Sequence, residues 1–360
     1  MLHQEKSDRV SSTSPMMLFA PRSGSATLPL SGVSIIVLIT FAFVGIALLI
    51  SAIEGIPFTA PQGGNIPGLH TNYWVPPIVA AIGYLLLQFL AELFNTEKRS
   101  LREIGRHAAD DYLLLGLFVL VIYVHFNMKM WIPVINPTLH DQQFFAIDQA
   151  ARPIVDLFMY IRDKVALLLP GADLWYMVAF IGMFVLSFIS HALGRRRYHY
   201  HNMVALLLFE MMGPLSYFIA PAVGPFVFEH GSNPLATKAE LQMYDVYQQV
   251  RDGGVSWIAQ NGGHFFAQPL AAMPSLHVGA SLIIVYYAIK GRLLMVPLAM
   301  ITLFWVIIES VASRWHYLID LPPGFLLAGL AILGANYLCR DAVGTNAPRK
   351  RFGRARDISA

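Results

Sequence analysis

Residues 23–53 read SGSATLPLSGVSIIVLITFAFVGIALLISAI and contain no Lys, Arg, Asp or Glu. Residues 55–91 are equally free of these charges. About 20 apolar residues are enough for an α-helix to cross the hydrocarbon core of a membrane. Of the 360 residues, 13% are charged and 56% are hydrophobic, whereas an ordinary soluble domain carries about 25% charged residues. We therefore predict an all-α polytopic membrane protein, in preference to a soluble protein with a very hydrophobic core.

Apolar blocks that are bounded by charges or turn residues predict about eight transmembrane helices. Between the seventh and eighth blocks the connection is very short. A further segment, residues 141–169, mixes apolar residues with charges and is predicted to be amphipathic helix along the outer surface. The eight predicted spans are residues 30–53, 75–95, 112–132, 174–194, 202–224, 270–289, 293–312 and 318–339.

Basic residues fall on one side of these spans. The loop 55–74 contains no Lys or Arg, and the long loop 225–269 contains only Lys238 and Arg251. Since Lys and Arg concentrate in cytoplasmic loops, we expect both termini in the cytoplasm and the long loops outside. The basic residues before the first span and after the even-numbered spans are Lys6, Arg9, Arg22, Lys98, Arg99, Arg102, Arg106, Arg195, Arg196, Arg197, Lys290, Arg292, Arg340, Arg349, Lys350, Arg351, Arg354 and Arg356.

Net charge and cysteine content give little further information about the function. The formal net charge of +3 is small and does not indicate a nucleic-acid partner. Cys339 is the single cysteine, so no intramolecular disulfide can form.

Two polar clusters open the sixth and eighth spans. The first is Met273-Pro274-Ser275-Leu276-His277, and the second runs from Ser313 to Asp320 and reads SRWHYLID. Both spans run from outside to inside, so the two clusters are predicted to lie together at the outer face. Ionisable groups in transmembrane segments are costly and are functional candidates by default.

These residue types suit phosphoryl transfer. His316 and Asp320 are spaced i, i+4, so a carboxylate can fix the imidazole tautomer and leave the other nitrogen as a nucleophile. His277 can protonate the leaving oxygen. Ser275 and Arg314 can bind phosphate oxygens, together with the amides of a helix N-terminus. No metal or other cofactor is predicted, because no carboxylate cluster is present to hold one.

Each of these residues also has a purely structural interpretation. A lone interfacial His is usually a polar cap, and Arg314 can extend along the membrane interface to reach water. Glu210 and Glu309 lie inside predicted spans and are interpreted as contacts between helices. His199 and His201 adjoin the Arg195–Arg197 run and are interpreted as interfacial residues.

The two clusters resemble motifs of the type-2 phosphatidic acid phosphatase superfamily. Its second motif, Pro-Ser-x-His, is matched by Pro274, Ser275 and His277, and its third ends in His-x-x-x-Asp, matched by His316 and Asp320. The resemblance spans roughly residues 140–335. It implies a six-helix catalytic bundle, a lipid phosphate substrate and a phosphohistidine intermediate.

One departure from the family pattern bears on the reaction. The basic first motif, a Lys with an Arg-Pro pair, is absent, and the segment from Gly213 to Pro225 stands in its place. This segment and His316-Tyr317 look more like the branch of inositol phosphorylceramide synthase and sphingomyelin synthase. Transfer of a phospho-headgroup to a lipid or alcohol acceptor is therefore slightly favoured. A lipid phosphate or isoprenyl diphosphate phosphatase is the alternative, and a non-catalytic lipid-binding or transport protein is a further one.

The predicted organisation follows from these features. Residues 1–28 form a disordered cytoplasmic N-terminus, residues 29–132 the N-terminal spans, residues 133–340 the catalytic membrane core, and residues 341–360 a basic cytoplasmic tail. The protein is expected in the cytoplasmic or plasma membrane, with its active site on the non-cytoplasmic face.

Overall fold

A computed structural model describes residues 30–63, 65–66, 71–94, 100–194 and 196–340. Two short strands, β1 (Asn65–Ile66) and β2 (Thr71–Asn72), pair antiparallel in the loop 55–74. The two predicted terminal segments, 1–28 and 341–360, lie outside the described residues. The described helices are α1 (Leu30–Glu54), α2 (Val75–Phe94), α3 (Leu101–Ile135), α4 (Asp141–Ala150), α5 (Arg152–Leu168), α6 (Ala172–Leu193), α7 (Arg196–Tyr217), α8 (Pro234–Asn261), α9 (Leu276–Gly291), α10 (Val296–Ala312) and α11 (Leu321–Leu338).

The all-α membrane class is confirmed, and each predicted span overlaps a helix. Within the described residues, five helical segments are long and apolar enough to cross a membrane, namely Val33–Glu54, α2, α3, α6 and Leu318–Leu338. Helices α9 and α10 are apolar but shorter. Helix α7 has a polar first turn and ends at Tyr217, so the fifth span, predicted to reach residue 224, was placed too far along the chain.

Six helices, α3, α6, α7, α9, α10 and α11, form one bundle. Helix α7 contacts α3, α6, α9 and α11, while α10 contacts α6 and α9. Helix α3 therefore packs as part of this bundle, although the catalytic membrane core was predicted to begin at residue 133. The helices approach closely where glycines lie: a Cβ on Gly324 would stand 2.5 Å from the carbonyl oxygen of Ser275. Small residues of this kind allow membrane helices to pack backbone against backbone.

The predicted amphipathic segment is two helices. Helix α4 ends at Ala150 and α5 begins at Arg152, because Pro153 suits the first turn of a new helix. Helix α5 contacts α10 and α6, whereas α4 contacts the 3₁₀ turn Leu318–Asp320. Both helices therefore cover the end of the bundle that carries the second polar cluster.

A buried polar network lies at the opposite end. Asp111 accepts hydrogen bonds from both Nη atoms of Arg196 at 2.9 Å and from the Tyr84 hydroxyl at 2.6 Å. His199 is fully buried, and its Nε2 lies 3.2 Å from Asp111 Oδ1. Its interpretation as an interfacial residue was wrong, since it joins α7 to α3 through this carboxylate. Burial of such charges requires partners on several sides, and the network supplies them.

Candidate active site

His316 and Asp320 lie in the connection between α10 and α11. Nδ1 of His316 stands 3.2 Å from Oδ2 of Asp320. The same carboxylate oxygen accepts the backbone N–H of Tyr317 at 2.8 Å. Asp320 ends the 3₁₀ turn, and α11 begins with Leu321 because two prolines then occupy its first turn. The predicted contact is therefore present, although the two residues do not share a helical face.

His277 faces His316 from the first turn of α9. The centroids of the two imidazole rings are 5.8 Å apart. The His277 ring also contacts Phe180 and Tyr176 of α6, at centroid distances of 4.5 and 5.3 Å. The structure thus brings both predicted catalytic histidines together at one end of the bundle, with their rings in an edge-to-face arrangement.

A backbone hydrogen bond joins the two polar clusters. The N–H of Ser275 donates to the carbonyl oxygen of Asp320 at 3.0 Å. Ser275 is fully buried, and its hydroxyl has no hydrogen-bond partner among the described residues. An unpaired buried hydroxyl is unfavourable unless something else binds it. Ser275 is therefore positioned to donate to a group that enters beside His277.

Arg314 is fully buried and pairs with a residue that sequence analysis did not identify. Its Nη2 donates to Oδ2 of Asp148 on α4 at 2.9 Å. Oδ1 of Asp148 accepts the N–H of Leu318 at 2.8 Å. Burial raises the pKa of the Asp148 carboxyl, and these two donors oppose that effect. The Nε and Nη1 groups of Arg314 have no hydrogen-bond partner within the described part of the chain.

Asp141, at the start of α4, holds the loop that precedes the site. It accepts the backbone N–H groups of Val223 at 3.0 Å and of Gly224 at 2.9 Å. It also accepts the Tyr317 hydroxyl at 2.7 Å, and burial raises the pKa of that hydroxyl above its ordinary value. Asp141 and Asp148 are two helical turns apart on one face of α4. That spacing was the sequence signal for both residues.

Glu309 fixes the end of α10 just before the second cluster. Its Oε1 accepts Ser313 Oγ at 2.6 Å and Asn233 Nδ2 at 2.7 Å, and its Oε2 lies 3.4 Å from Arg162 Nε. The interpretation of Glu309 as a contact between helices agrees with this geometry. Glu210 likewise contacts another helix, with Oε2 at 3.1 Å from Nδ1 of His125 on α3.

A cavity of about 260 Å³ opens beside His277, between α2, α3, α6 and α7. Its walls are mostly aromatic and aliphatic side chains. Its polar lining is His125, Lys129, Asn202, Glu210 and His277. Mostly apolar clefts with few polar groups are typical of sites for small ligands and lipids.

Residues 163–334 match the family model of the PAP2 superfamily. The PAP2 match begins inside α5 and includes Ser275, His277, Arg314, His316 and Asp320. The match covers 172 of the 360 residues and supports a relationship to the PAP2 superfamily. Comparisons with curated proteins and with solved structures gave no significant match. Helices α1–α4, including Asp141 and Asp148, lie outside the PAP2 match.

Across the described ranges, no group of three or more His, Cys, Asp or Glu side chains is arranged to hold a metal ion.

Proposed function

We propose that this chain cleaves or transfers the phosphate ester of a membrane lipid through a phosphohistidine on His316. The observation that supports this most directly is the arrangement of three side chains. Asp320 contacts Nδ1 of His316 at 3.2 Å, and His277 faces the same ring at a centroid distance of 5.8 Å. A nucleophile, its orienting carboxylate and a second proton-carrying group are the parts that covalent catalysis requires.

In the first step His316 attacks phosphorus. Asp320 accepts a hydrogen bond from the N–H at Nδ1 and stays unprotonated, so Nε2 carries the lone pair that forms the N–P bond. The bond between phosphorus and the lipid oxygen breaks, and protonated His277 gives its proton to that oxygen. The lipid alcohol or diglyceride leaves, and the phosphoryl or phospho-headgroup remains on His316.

In the second step a hydroxyl replaces His316. His277, now neutral, takes the proton of the incoming hydroxyl as its oxygen forms the new bond to phosphorus. The N–P bond breaks, and its electron pair returns to Nε2. Both histidines then regain their starting protonation states. Water as the acceptor gives free phosphate, whereas a lipid or other alcohol gives a new phosphate ester.

The negative charge on the phosphate oxygens is stabilised by hydrogen-bond donors that are already in place before the reaction. Arg314 contributes its Nε and Nη1 groups, and Ser275 its hydroxyl; within the described residues these donors have no other hydrogen-bond partner. The N–H groups in the first turn of α9 add a favourable dipole. Stabilisation by such prearranged donors accounts for most catalysis of phosphoryl transfer.

Transfer between lipids is slightly favoured over hydrolysis. The apolar cavity beside His277 can hold lipid while limiting water, and the segment Gly213–Pro225 replaces the basic motif of the phosphatases. A lipid phosphate or isoprenyl diphosphate phosphatase is the alternative.

For topology, we propose cytoplasmic termini and an active site on the non-cytoplasmic face, as the distribution of Lys and Arg indicates.

Product analysis on the purified protein in liposomes tests this proposal. Phosphorus-labelled phosphatidate, isoprenyl diphosphate and phosphatidylinositol are supplied with and without ceramide or diacylglycerol. Label that enters a new lipid only when the acceptor is present supports transfer, and free phosphate without an acceptor supports the phosphatase. Either activity must disappear in His316→Ala. Turnover that survives this substitution contradicts the proposed mechanism.

A further inference from the structure

Lys129 is a cation in an unusual position. It lies on α3, inside an apolar span and outside the residues that match the PAP2 family. At a rise of 1.5 Å per residue, it lies about 9 Å below Ile135, the last residue of α3. Lys residues within transmembrane segments are rare, and they usually pair with another group or border a substrate path. Such a residue usually has an ion-pair partner or a ligand.

Among the described residues, Lys129 has no ion-pair partner. Its Nζ stands 5.3 Å from the centroid of the Tyr217 ring, and no carboxylate of the described residues forms an ion pair with it. Glu210, the acidic residue in the same cavity, contacts His125 at 3.1 Å instead. The ammonium group is therefore left with an aromatic face and the cavity.

The cavity connects Lys129 to the candidate active site. One face of α3 lines it with Ile122, His125, Phe126 and Lys129, which follow the i, i+3, i+4, i+7 spacing of a helix. His277 lines the same cavity, and Lys129 lies close enough for its charge to act on His277. Among the described residues that line this cavity, Lys129 is the one Lys or Arg.

We infer that Lys129 recognises the anionic phosphate of the substrate, while the apolar cavity below it holds a hydrocarbon chain of the same lipid. This inference rests on the proposed function. It also gives a reason for the absence of the basic first motif, because the positive charge comes from α3 instead. Arg314 pairs with Asp148 through Nη2 and keeps Nε and Nη1 for the phosphate, so the charge of Lys129 adds to that of Arg314 and does not replace it.

Binding measurements on full-length protein in nanodiscs test this inference. The probes are radiolabelled dodecyl phosphate and uncharged dodecanol, and the parent protein carries His316→Ala so that turnover cannot interfere. Lys129→Met removes the charge, and Lys129→Arg keeps it. Lys290→Met is the matched control, because Lys290 also lies over a tyrosine ring, Tyr286, at 5.5 Å, but in the last turn of α9.

We expect Lys129→Met to weaken binding of dodecyl phosphate roughly tenfold to a hundredfold, the range for a lost charged contact. Dodecanol binding should stay unchanged, Lys129→Arg should bind dodecyl phosphate within about threefold of the parent, and Lys290→Met should match the parent. Equal dodecyl phosphate binding by Lys129→Met would overturn the inference. So would an equal loss of dodecanol binding, because a collapsed cavity would then explain both losses.

A separate assay keeps this test distinct from the proposed function. Phosphate release from dodecyl phosphate is measured for the protein with His316 intact and for His316→Ala. Release that depends on His316, together with unchanged binding in Lys129→Met, contradicts only the role of Lys129. Release that survives in His316→Ala contradicts the proposed function, whatever the binding data show.

Discussion

Nδ1 of His316 lies 3.2 Å from Oδ2 of Asp320, although neither residue lies within a regular α-helix. The 3₁₀ turn Leu318–Asp320 brings the carboxylate back towards the imidazole. The N–H of Tyr317 holds the same oxygen at 2.8 Å. The orientation of the proposed nucleophile therefore depends on the fold of this short connection.

Asp320→Asn should lower kcat by roughly a hundredfold or more and leave KM nearly unchanged. The amide can donate to Nδ1, which favours the wrong imidazole tautomer and removes the charge that stabilises the cationic ring. Steady-state kinetics on a labelled lipid phosphate measures both constants. Asp156→Asn is the control, since Asp156 forms an exposed ion pair with Arg152. A kcat within threefold of the parent would argue against the orienting role of Asp320.

His277→Gln should affect substrates according to their leaving groups. If His277 protonates the departing oxygen, loss of that proton donor slows release of an alkoxide by roughly a hundredfold or more. An aryl phosphate such as p-nitrophenyl phosphate leaves without protonation and should slow far less. Parallel rate measurements on alkyl and aryl phosphates check this. An equal loss on both substrates would show that His277 acts in binding or folding rather than as the acid.

Gly324→Ala should reduce activity by displacing Ser275. The added Cβ would stand 2.5 Å from the Ser275 carbonyl oxygen, which is closer than real contacts allow, so the start of α9 must move away from α11. Gly329→Ala, on the same helix with nothing within 4 Å of the new Cβ, is the control. Activity and apparent Tm in detergent measure both effects. Equal behaviour of the two variants would contradict the close packing at Ser275.

Glu240→Gln should stabilise the protein, increasingly so as pH rises. Glu240 on α8 is fully buried, and its carboxyl oxygens have no hydrogen-bond partner among the described residues. Burial raises its pKa well above the ordinary 4.5, against the opposing charge of Arg314. A raised carboxyl pKa contributes stability that is present below pH 4.5 and is lost as pH rises through the folded-state pKa.

The apparent Tm of both proteins across pH 4–9 tests the effect at Glu240. We expect similar values near pH 4 and a higher Tm for Glu240→Gln at pH 8, by about 2 °C or more. Glu229→Gln is the control, because the Arg152 hydrogen bond lowers the pKa of Glu229. A difference between wild type and Glu240→Gln that shrinks as pH rises would contradict this account.

The helices could be predicted because each span carries its own signal. Apolar blocks of about 20 residues favour transmembrane helices wherever they occur, and the alternation of basic loops then predicts which ends lie together. That is why His277 and His316 could be predicted as neighbours, although 39 positions separate them in the chain. The break at Ala151 was missed, since Arg152-Pro153 was not recognised as a helix start.

The supporting residues could not be predicted because their partners are distant in sequence. Asp148 pairs with Arg314 and Asp141 with Tyr317, across more than 160 positions of chain. Nothing in the local pattern of α4 specifies which side chains meet it. Lys129 did carry a signal, a charge inside an apolar span, but only the cavity shows that Lys129 and His277 line the same space.

The most direct test of the central claim is to trap the phosphoenzyme. The protein is mixed with a phosphorus-labelled lipid phosphate and quenched in alkali within milliseconds, and the labelled peptide is sequenced. We predict an alkali-stable, acid-labile label on His316 that appears at the rate of the first step and is absent from His316→Ala. Label on any other residue, or full turnover without label on His316, would contradict the proposed mechanism.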